Sequence, residues 1–170
     1  MTRVVILLLV ILLLLLPVAA DAKFYRQYNH KLEFSMPDNW QSLDQTNNEF
    51  LVYIIAPELQ NEINILTLFH QQLPVSYTLT DYVNNTVVNQ SKLLWQYRLR
   101  DKQLVEHAFG PYYRLTFTWS LSWEQQYFVQ QMLICRYPDV YVLTATAPLD
   151  RREEYEPVFL RVFESFAFFN

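Results

Sequence analysis

Residues 112–147 read YYRLTFTWSLSWEQQYFVQQMLICRYPDVYVLTATA, and this stretch decides the fold. Its first part, residues 112–120, alternates between apolar and polar side chains, which is typical of a strand with one buried face. Residues 125–136 and 140–147 are two further strand-like runs, and Tyr137-Pro138-Asp139 between them has the composition of a tight turn. Three consecutive strands with short connections predict an antiparallel meander.

Strand signals are also present outside the meander. Residues 31–36 alternate between polar and apolar side chains and end at Pro37-Asp38-Asn39, a typical turn sequence. Residues 50–55 and 62–70 are apolar-rich runs of strand length, and residues 166–168 form a short closing strand. The sequence therefore predicts one sheet of about six or seven mainly antiparallel strands.

Two segments have the periodicity of amphipathic helices. The first begins at Thr78-Leu79-Thr80-Asp81, which has the form of a capping box, and its apolar stripe continues to Leu94. The second carries an apolar stripe over residues 158–166, with Asp150 as its expected N-terminal cap. Because proline interrupts a helix, Pro157 predicts either a kink at that position or a helix that begins near Glu154.

These elements predict the fold class. A sheet with two apolar faces and two amphipathic helices bury the most apolar surface when one helix covers each face. The prediction is an α+β protein, a three-layer α/β/α sandwich with a mainly antiparallel sheet and one helix on each face. The sequence has no internal repeat and no linker-like stretch, so residues 23–170 are expected to form a single domain.

The N-terminal segment has the layout of a secretory signal peptide. Arg3 supplies a positive charge, and an uninterrupted aliphatic run follows it. Ala20 and Ala22 give the small-x-small pattern of a cleavage site before Lys23, so we expect residues 1–22 to be removed. The mature protein is then periplasmic or secreted and has no stable membrane anchor.

An uncleaved inner-membrane anchor is the alternative for this segment. Residues 4–20 nearly match the thickness of a bilayer, which is the property that such an anchor needs. Pro17 and the small-residue pattern favour cleavage.

Composition argues against several classes of function. The 170 residues carry a formal net charge of -4 and no basic run, whereas nucleic-acid binders need clustered Lys and Arg. Gly110 is the only glycine, so neither a glycine-rich phosphate loop nor a Gly-x-Ser-x-Gly elbow can form. Cys135 is the only cysteine, and we expect it to be a small buried hydrophobic residue.

The histidines show no ligand pattern either. His30, His70 and His107 are far apart in the sequence, and none belongs to an i, i+4 pair. The sequence therefore predicts no metal site, no cofactor and no catalytic residue, and the protein is not expected to be an enzyme.

Four segments in this order resemble the PsbP/DcrB superfamily of small secreted or lumenal α/β/α domains. They are residues 32–40 (LEFSMPDNW), 112–119 (YYRLTFTW), 141–148 (YVLTATAP) and the C-terminal helix that runs into Ser165-Phe166. The resemblance implies an α/β/α fold for the whole mature domain and a role that is not enzymatic. Members stabilise photosynthetic oxygen evolution, lie in bacterial envelopes or shield hydrophobic effector helices. The lipid-attachment cysteine of many bacterial members is absent from this sequence.

The connection between the first two strands of the meander is the candidate binding site. Leu121 and Trp123 lie in Trp119-Ser120-Leu121-Ser122-Trp123-Glu124, and we expect them at a hairpin tip, because exposed Trp is enriched where partners bind. The alternative is that Trp123 folds back on the sheet. Trp40, which closes the first turn, is expected in the core.

Two functions fit these observations. The first is an exported accessory, assembly or stabilising factor that binds another envelope or membrane protein. The second is a carrier of a small apolar ligand or lipid in the periplasm, with the ligand held between a helix and the sheet. The signal peptide, the missing catalytic groups and the resemblance favour the first.

Overall fold

The computed structural model describes residues 22–43, 50–59 and 65–170, in which ten strands and two α-helices follow one another. In chain order these are β1 Ala22–Gln27, β2 Leu32–Pro37, β3 Gln41–Leu43, β4 Phe50–Ile55, β5 Leu66–Gln72, α1 Leu79–Leu93, β6 Arg98–Val105, β7 Tyr112–Ser120, β8 Gln126–Arg136, β9 Asp139–Pro148, α2 Arg152–Glu164 and β10 Ala167–Phe168. Within these ranges, no helix is long and apolar enough to cross a membrane.

Seven strands form the main sheet, in the spatial order β3-β4-β5-β9-β8-β7-β6, and all neighbours are antiparallel. The predicted meander β7-β8-β9 is confirmed: Phe117 pairs with Val129, and Val129 pairs with Thr146. The predicted strand at 62–70 corresponds to β5, although residues 62–64 lie outside the described residues. The edge strand β6 carries no strand signal in the sequence, because its residues RLRDKQLV are mostly polar or charged.

A second, three-stranded sheet has the order β1-β2-β10, so the prediction of a single sheet is wrong in this respect. Residues 31–36 and 166–168 were expected in the main sheet, but they pair with each other, through Ala167 opposite Glu33 and Phe168 opposite Leu32. Ser165, the residue directly after α2, contacts β2, because the Ser35 backbone N–H donates to Ser165 Oγ at 2.8 Å. The run after the helix therefore joins β2.

The three-layer α+β prediction is confirmed. One face of the main sheet packs on α1, and the other packs on α2 together with the small sheet. Alternation along the central strands separates these two cores, because successive side chains point to opposite faces. In β8, Phe128, Met132 and Ile134 join the α2 side, whereas Val129 and Leu133 join the α1 side.

Helix α1 begins at the predicted capping box. The Asp81 backbone N–H donates to Thr78 Oγ1 at 3.1 Å, and the Thr78 N–H donates to Asp81 Oδ2 at 3.1 Å. The hydrogen bonds from Thr78 favour the charged carboxylate and lower the pKa of Asp81. Val83 is the helix's only buried residue, so α1 covers its face of the sheet incompletely.

Helix α2 differs from its prediction at the N-terminus. A 3₁₀ turn at Leu149–Arg151 precedes it and contains Asp150, and no side chain caps the helix. The helix begins at Arg152, before the expected start near Glu154, and continues through Pro157. Proline removes one backbone hydrogen bond from the helix, and the burial of one helix face offsets the free energy lost with that bond. The buried residues are Tyr155, Phe159, Val162 and Phe163.

Aromatic rings fill the core on the α2 side. Phe159 is fully buried and lies 6.5 Å from Trp40 and 6.3 Å from Phe128, measured between ring centroids. The expectation that Trp40 belongs to the core is confirmed. These contacts join the helix, the main sheet and the turn after β2.

A histidine pair joins the small sheet to the main sheet. His30, in the turn between β1 and β2, has its ring centroid 4.4 Å from that of His70 on β5. His30 Nδ1 lies 3.3 Å from the Tyr141 hydroxyl, and His70 Nε2 lies 2.9 Å from Asp139 Oδ1. Burial and the neighbouring His70 lower the pKa of His30, against a smaller opposite effect of Asp139.

Replacement of Phe159 tests the aromatic core. Phe159→Ala is expected to lower the free energy of unfolding by about 3–5 kcal/mol, since it leaves a cavity between α2 and the sheet. Urea denaturation followed by fluorescence measures this change. Phe24→Ala removes the same side chain from an exposed position and is the control; equal losses in the two variants would contradict the packing described.

Acid should destabilise the contact of His30 with His70 between the small sheet and the main sheet. Because the pKa of His30 is lower in the folded protein, the unfolded state binds its proton first as the pH falls. The free energy of unfolding should therefore decrease below about pH 6.5. His30→Gln should make the decrease between pH 8 and pH 5 smaller, as measured by urea midpoints. In His107→Gln, the control variant, the decrease should be larger than in His30→Gln. An unchanged pH profile in His30→Gln would refute this assignment.

Candidate functional site

The hairpin between β7 and β8 places both candidate partner-binding residues on the surface. Leu121 is 61% exposed and Trp123 is 77% exposed, so Trp123 does not fold back on the sheet. The Leu121 N–H donates to the Gln125 carbonyl at 2.9 Å, and Ser122 Oγ accepts the Gln125 N–H at 3.1 Å. These bonds hold the tip in one shape.

Trp95, which the sequence analysis missed, completes an exposed aromatic pair. Its ring lies edge to face with Trp123, with centroids 4.7 Å apart at 87°. The Ser120 N–H donates to the Trp95 carbonyl at 2.9 Å and fixes the segment after α1 beside the hairpin. No local pattern links residues so distant in sequence. We call Trp95, Leu121 and Trp123 the tryptophan patch.

An open cleft of about 420 Å³ lies between the C-terminal half of α1 and the main sheet. Thr86 and Gln90 face it from the helix, where larger apolar side chains would have closed the gap. The rest of its lining comes from the end of α1 and from β7, β8 and β9. Its apolar part consists of Leu93, Leu94, Phe117, Trp119 and Val129, and β9 contributes Thr144 and Thr146. Its volume falls in the range of small-molecule sites.

A chain of hydrogen bonds crosses the inner part of the cleft. Gln90 Nε2 donates to Gln131 Oε1 at 2.8 Å, and Gln131 Nε2 donates to Thr144 Oγ1 at 3.0 Å. The Tyr97 hydroxyl donates to Gln90 Oε1 at 3.3 Å, and burial raises the pKa of Tyr97, so this hydroxyl keeps its proton. Gln131 is only 8% exposed, and its bonds connect helix and sheet without closing the cleft.

A second groove, of about 570 Å³, lies beside Trp123. Its walls are the start of β8 and the chain from Pro148 to Arg151. Arg151 is held by Glu154, with Nη2 to Oε1 at 2.8 Å. The tryptophan patch therefore borders a recess in the surface.

The environment of Cys135 does not favour its use as a nucleophile. Cys135 is partly buried, and burial together with the charge of Asp139 raises the pKa of its thiol. A thiol with a raised pKa is a weak nucleophile, because the thiolate is the reactive form. In the described part of the chain, no three His, Cys, Asp or Glu side chains are placed to hold a metal ion.

The predicted cleavage site is only partly within the structure. Ala20 lies outside the described residues, and Ala22 and Lys23 are the first residues of β1. Lys23 Nζ donates to the Asp38 carbonyl at 2.9 Å. Cleavage between Ala22 and Lys23 stays a prediction, as does the partner-binding role of Leu121 and Trp123.

Solved structures with the same fold include proteins of several origins. Cyanobacterial PsbP (CyanoP) from Synechocystis sp. PCC 6803 aligns with a TM-score of 0.64 and 18% identity, covering 90% of this chain and 95% of its own. LpqN of Mycobacterium tuberculosis, involved in cell envelope biogenesis, aligns with a TM-score of 0.62 and 12% identity, covering 88% of this chain and 91% of its own. The Saccharomyces cerevisiae Ran-binding protein Mog1p aligns with a TM-score of 0.63 and 10% identity, covering 88% of this chain and 96% of its own. At these identities the likeness shows the fold alone.

Sequence comparison identifies the family. No curated protein matches the chain significantly. The DcrB family matches residues 32–165, which extend from β2 to the end of α2 and include both helices and the meander. Together with the PsbP-like fold, this match shows that the chain belongs to the DcrB family, within the PsbP/DcrB-like superfamily.

Proposed function

We propose that this protein is a non-enzymatic accessory factor of the cell envelope that binds another envelope or membrane protein through the tryptophan patch. The observation that carries the proposal is the edge-to-face pair of Trp95 and Trp123 on the surface. Water contact with two large apolar rings costs free energy, and a protein partner that covers them recovers it.

The patch has the properties of an interaction hot spot. Tryptophan is enriched among residues that dominate binding energies, and rigid aromatic rings lose little conformational entropy on binding. The hairpin bonds around Ser122 and the bond from Ser120 to Trp95 preorganise the two rings before a partner arrives. The groove beside Trp123 offers room for a side chain of the partner.

The sequence and the relatives support an envelope location and a protein partner. The N-terminal segment has the layout of an export signal, with cleavage expected before Lys23 and an uncleaved anchor as the alternative. LpqN is involved in cell envelope biogenesis and Mog1p is a Ran-binding protein, so the fold occurs in an envelope-related protein and in one that binds a protein partner. The raised pKa of the Cys135 thiol supports the non-enzymatic part of the proposal.

A second candidate function rests on the cleft between α1 and the sheet. Its apolar walls and its volume of about 420 Å³ suit a small apolar ligand or a lipid chain. The buried Gln131 bonds would give such a ligand a polar neighbour at the inner end. This observation favours a carrier role in the periplasm.

Replacing Trp123 tests the protein-binding function. The native protein is isolated from its host envelope after gentle crosslinking, and the co-purifying protein is identified by mass spectrometry. Trp123→Ala is expected to raise the Kd of that complex at least about tenfold, because it removes half of the aromatic pair. Its Tm should change by no more than a few degrees.

Phe24→Ala is the matched control, since Phe24 is an exposed aromatic residue on β1, away from the patch. An equal loss of binding in this variant, or a loss of folding in Trp123→Ala, would contradict the interface.

Filling the cleft tests the carrier function. N-phenyl-1-naphthylamine, an uncharged apolar fluorophore, should bind saturably to the wild-type protein. Thr146→Phe adds a ring inside the cleft and should weaken this binding about tenfold or more, whereas Thr80→Phe, on the exposed start of α1, should not. Native mass spectrometry of the host-purified protein should show a bound adduct. A clean apo mass together with no saturable fluorescence would exclude this function.

A further inference from the structure

A small polar pocket of about 110 Å³ lies at the edge of the main sheet, where β6 begins. We call it the arginine pocket. Its polar lining consists of Gln96, Arg98, Arg100, Thr118, Ser120 and Gln126. Gln126 and Leu149 also line the groove beside Trp123, so the two recesses are adjacent.

A β-bulge shapes the arginine side of the pocket. Arg98 pairs with Thr118, but the register shifts between Leu99 and Asp101, so Arg100 is left without a partner in the ladder. Bulges commonly redirect side chains at sheet edges. Here Arg98 and Arg100, both exposed, line the same recess.

Neither of these arginines is neutralised. Among the residues that the structure describes, no carboxylate lies within ion-pair distance of Arg98 or Arg100, whereas Arg26, Arg151 and Arg152 each pair with a glutamate. No Asp or Glu lines the pocket. Two positive charges that line one pocket repel each other, although the chain as a whole has an excess of acidic groups. An anion bound in the pocket would reduce this repulsion.

The remaining lining offers hydrogen-bond donors. Ser120 Oγ donates to Gln96 Oε1 at 2.9 Å, which leaves the Gln96 amide hydrogens available to the pocket. Gln96 has φ 54°, a conformation that costs a non-glycine residue free energy and is common at functional sites. Thr118 is 7% exposed and also lines the pocket.

We infer that the arginine pocket is an oxyanion site that takes a single carboxylate or phosphate group. Two arginines line it together with Gln96, Ser120 and other polar residues, and arginine binds the planar edge of such groups through paired N–H donors. The pocket's volume is that of about four water molecules, so it has room for one such group. This inference does not rest on the tryptophan patch or the cleft.

The test is an NMR titration of the full-length, ¹⁵N-labelled protein with inorganic phosphate and with acetate, at constant ionic strength. Saturable shifts are expected at the backbone amides of Gln96, Thr118, Ser120 and Gln126, with a Kd on the order of millimolar. In R98Q/R100Q the Kd should rise at least about tenfold, because two charge-assisted contacts are lost.

The control variant K92Q/K102Q removes the same charge outside the pocket. Lys92 is exposed on α1, and Lys102 donates to Asn84 Oδ1 at 3.0 Å, so this variant should keep the wild-type affinity. If R98Q/R100Q fails to fold, Arg100→Gln alone replaces it, since Arg100 has no ladder partner. Absence of saturable shifts, or equal shifts in the arginine and lysine variants, would overturn the inference.

Vesicle sedimentation distinguishes the source of the anion. Binding to phosphatidylglycerol vesicles but not to phosphatidylcholine vesicles, with loss in R98Q/R100Q, would assign the pocket to a lipid headgroup. Phosphate or acetate binding without vesicle binding would assign it to a soluble anion. Both results support the site.

Discussion

The structure depends on one constraint, the alternation of side chains in a sheet that must be covered on both faces. Every second residue of β7, β8 and β9 faces α2, and the others face α1. The two faces are not covered equally. The α2 side receives a helix, a small sheet and closely packed aromatic rings, whereas the α1 side receives a helix with a single buried residue.

This inequality explains the position of one candidate site, the cleft. The well-packed side fixes the positions of the central strands, and the loosely covered side leaves the cleft below α1. At the cleft, Gln90 and Gln131 connect the helix to the sheet through a hydrogen bond. The tryptophan patch, the cleft and the arginine pocket all involve residues at the β7–β8 end of the molecule. The opposite end of β8 carries the cis Tyr137-Pro138 turn.

The sequence was informative where the signal was local. The meander and the capping box at Thr78 could be predicted because alternation and the spacing of a cap are properties of neighbouring residues. The start of α2 could not, since a 3₁₀ turn and tertiary packing outweigh the local preference for Asp150 as a cap. Pairings between distant segments, such as Trp95 with Trp123 and His30 with His70, have no local signal. The exposure of Trp123 could not be predicted from the sequence, because a side chain at a hairpin tip can point to solvent or fold back on the sheet.

The composition of β6 has a consequence for assembly. A sheet edge normally offers free N–H and C=O groups to a strand of another chain, which is the route to fibrous aggregates. Arg98, Arg100, Asp101 and Lys102 interrupt β6 with charge, and the bulge at Arg100 bends the edge out of register. Where sheet edges of neighbouring molecules meet, this edge resists such lateral growth. The same residues that could hold an anion therefore also protect the solubility of the fold.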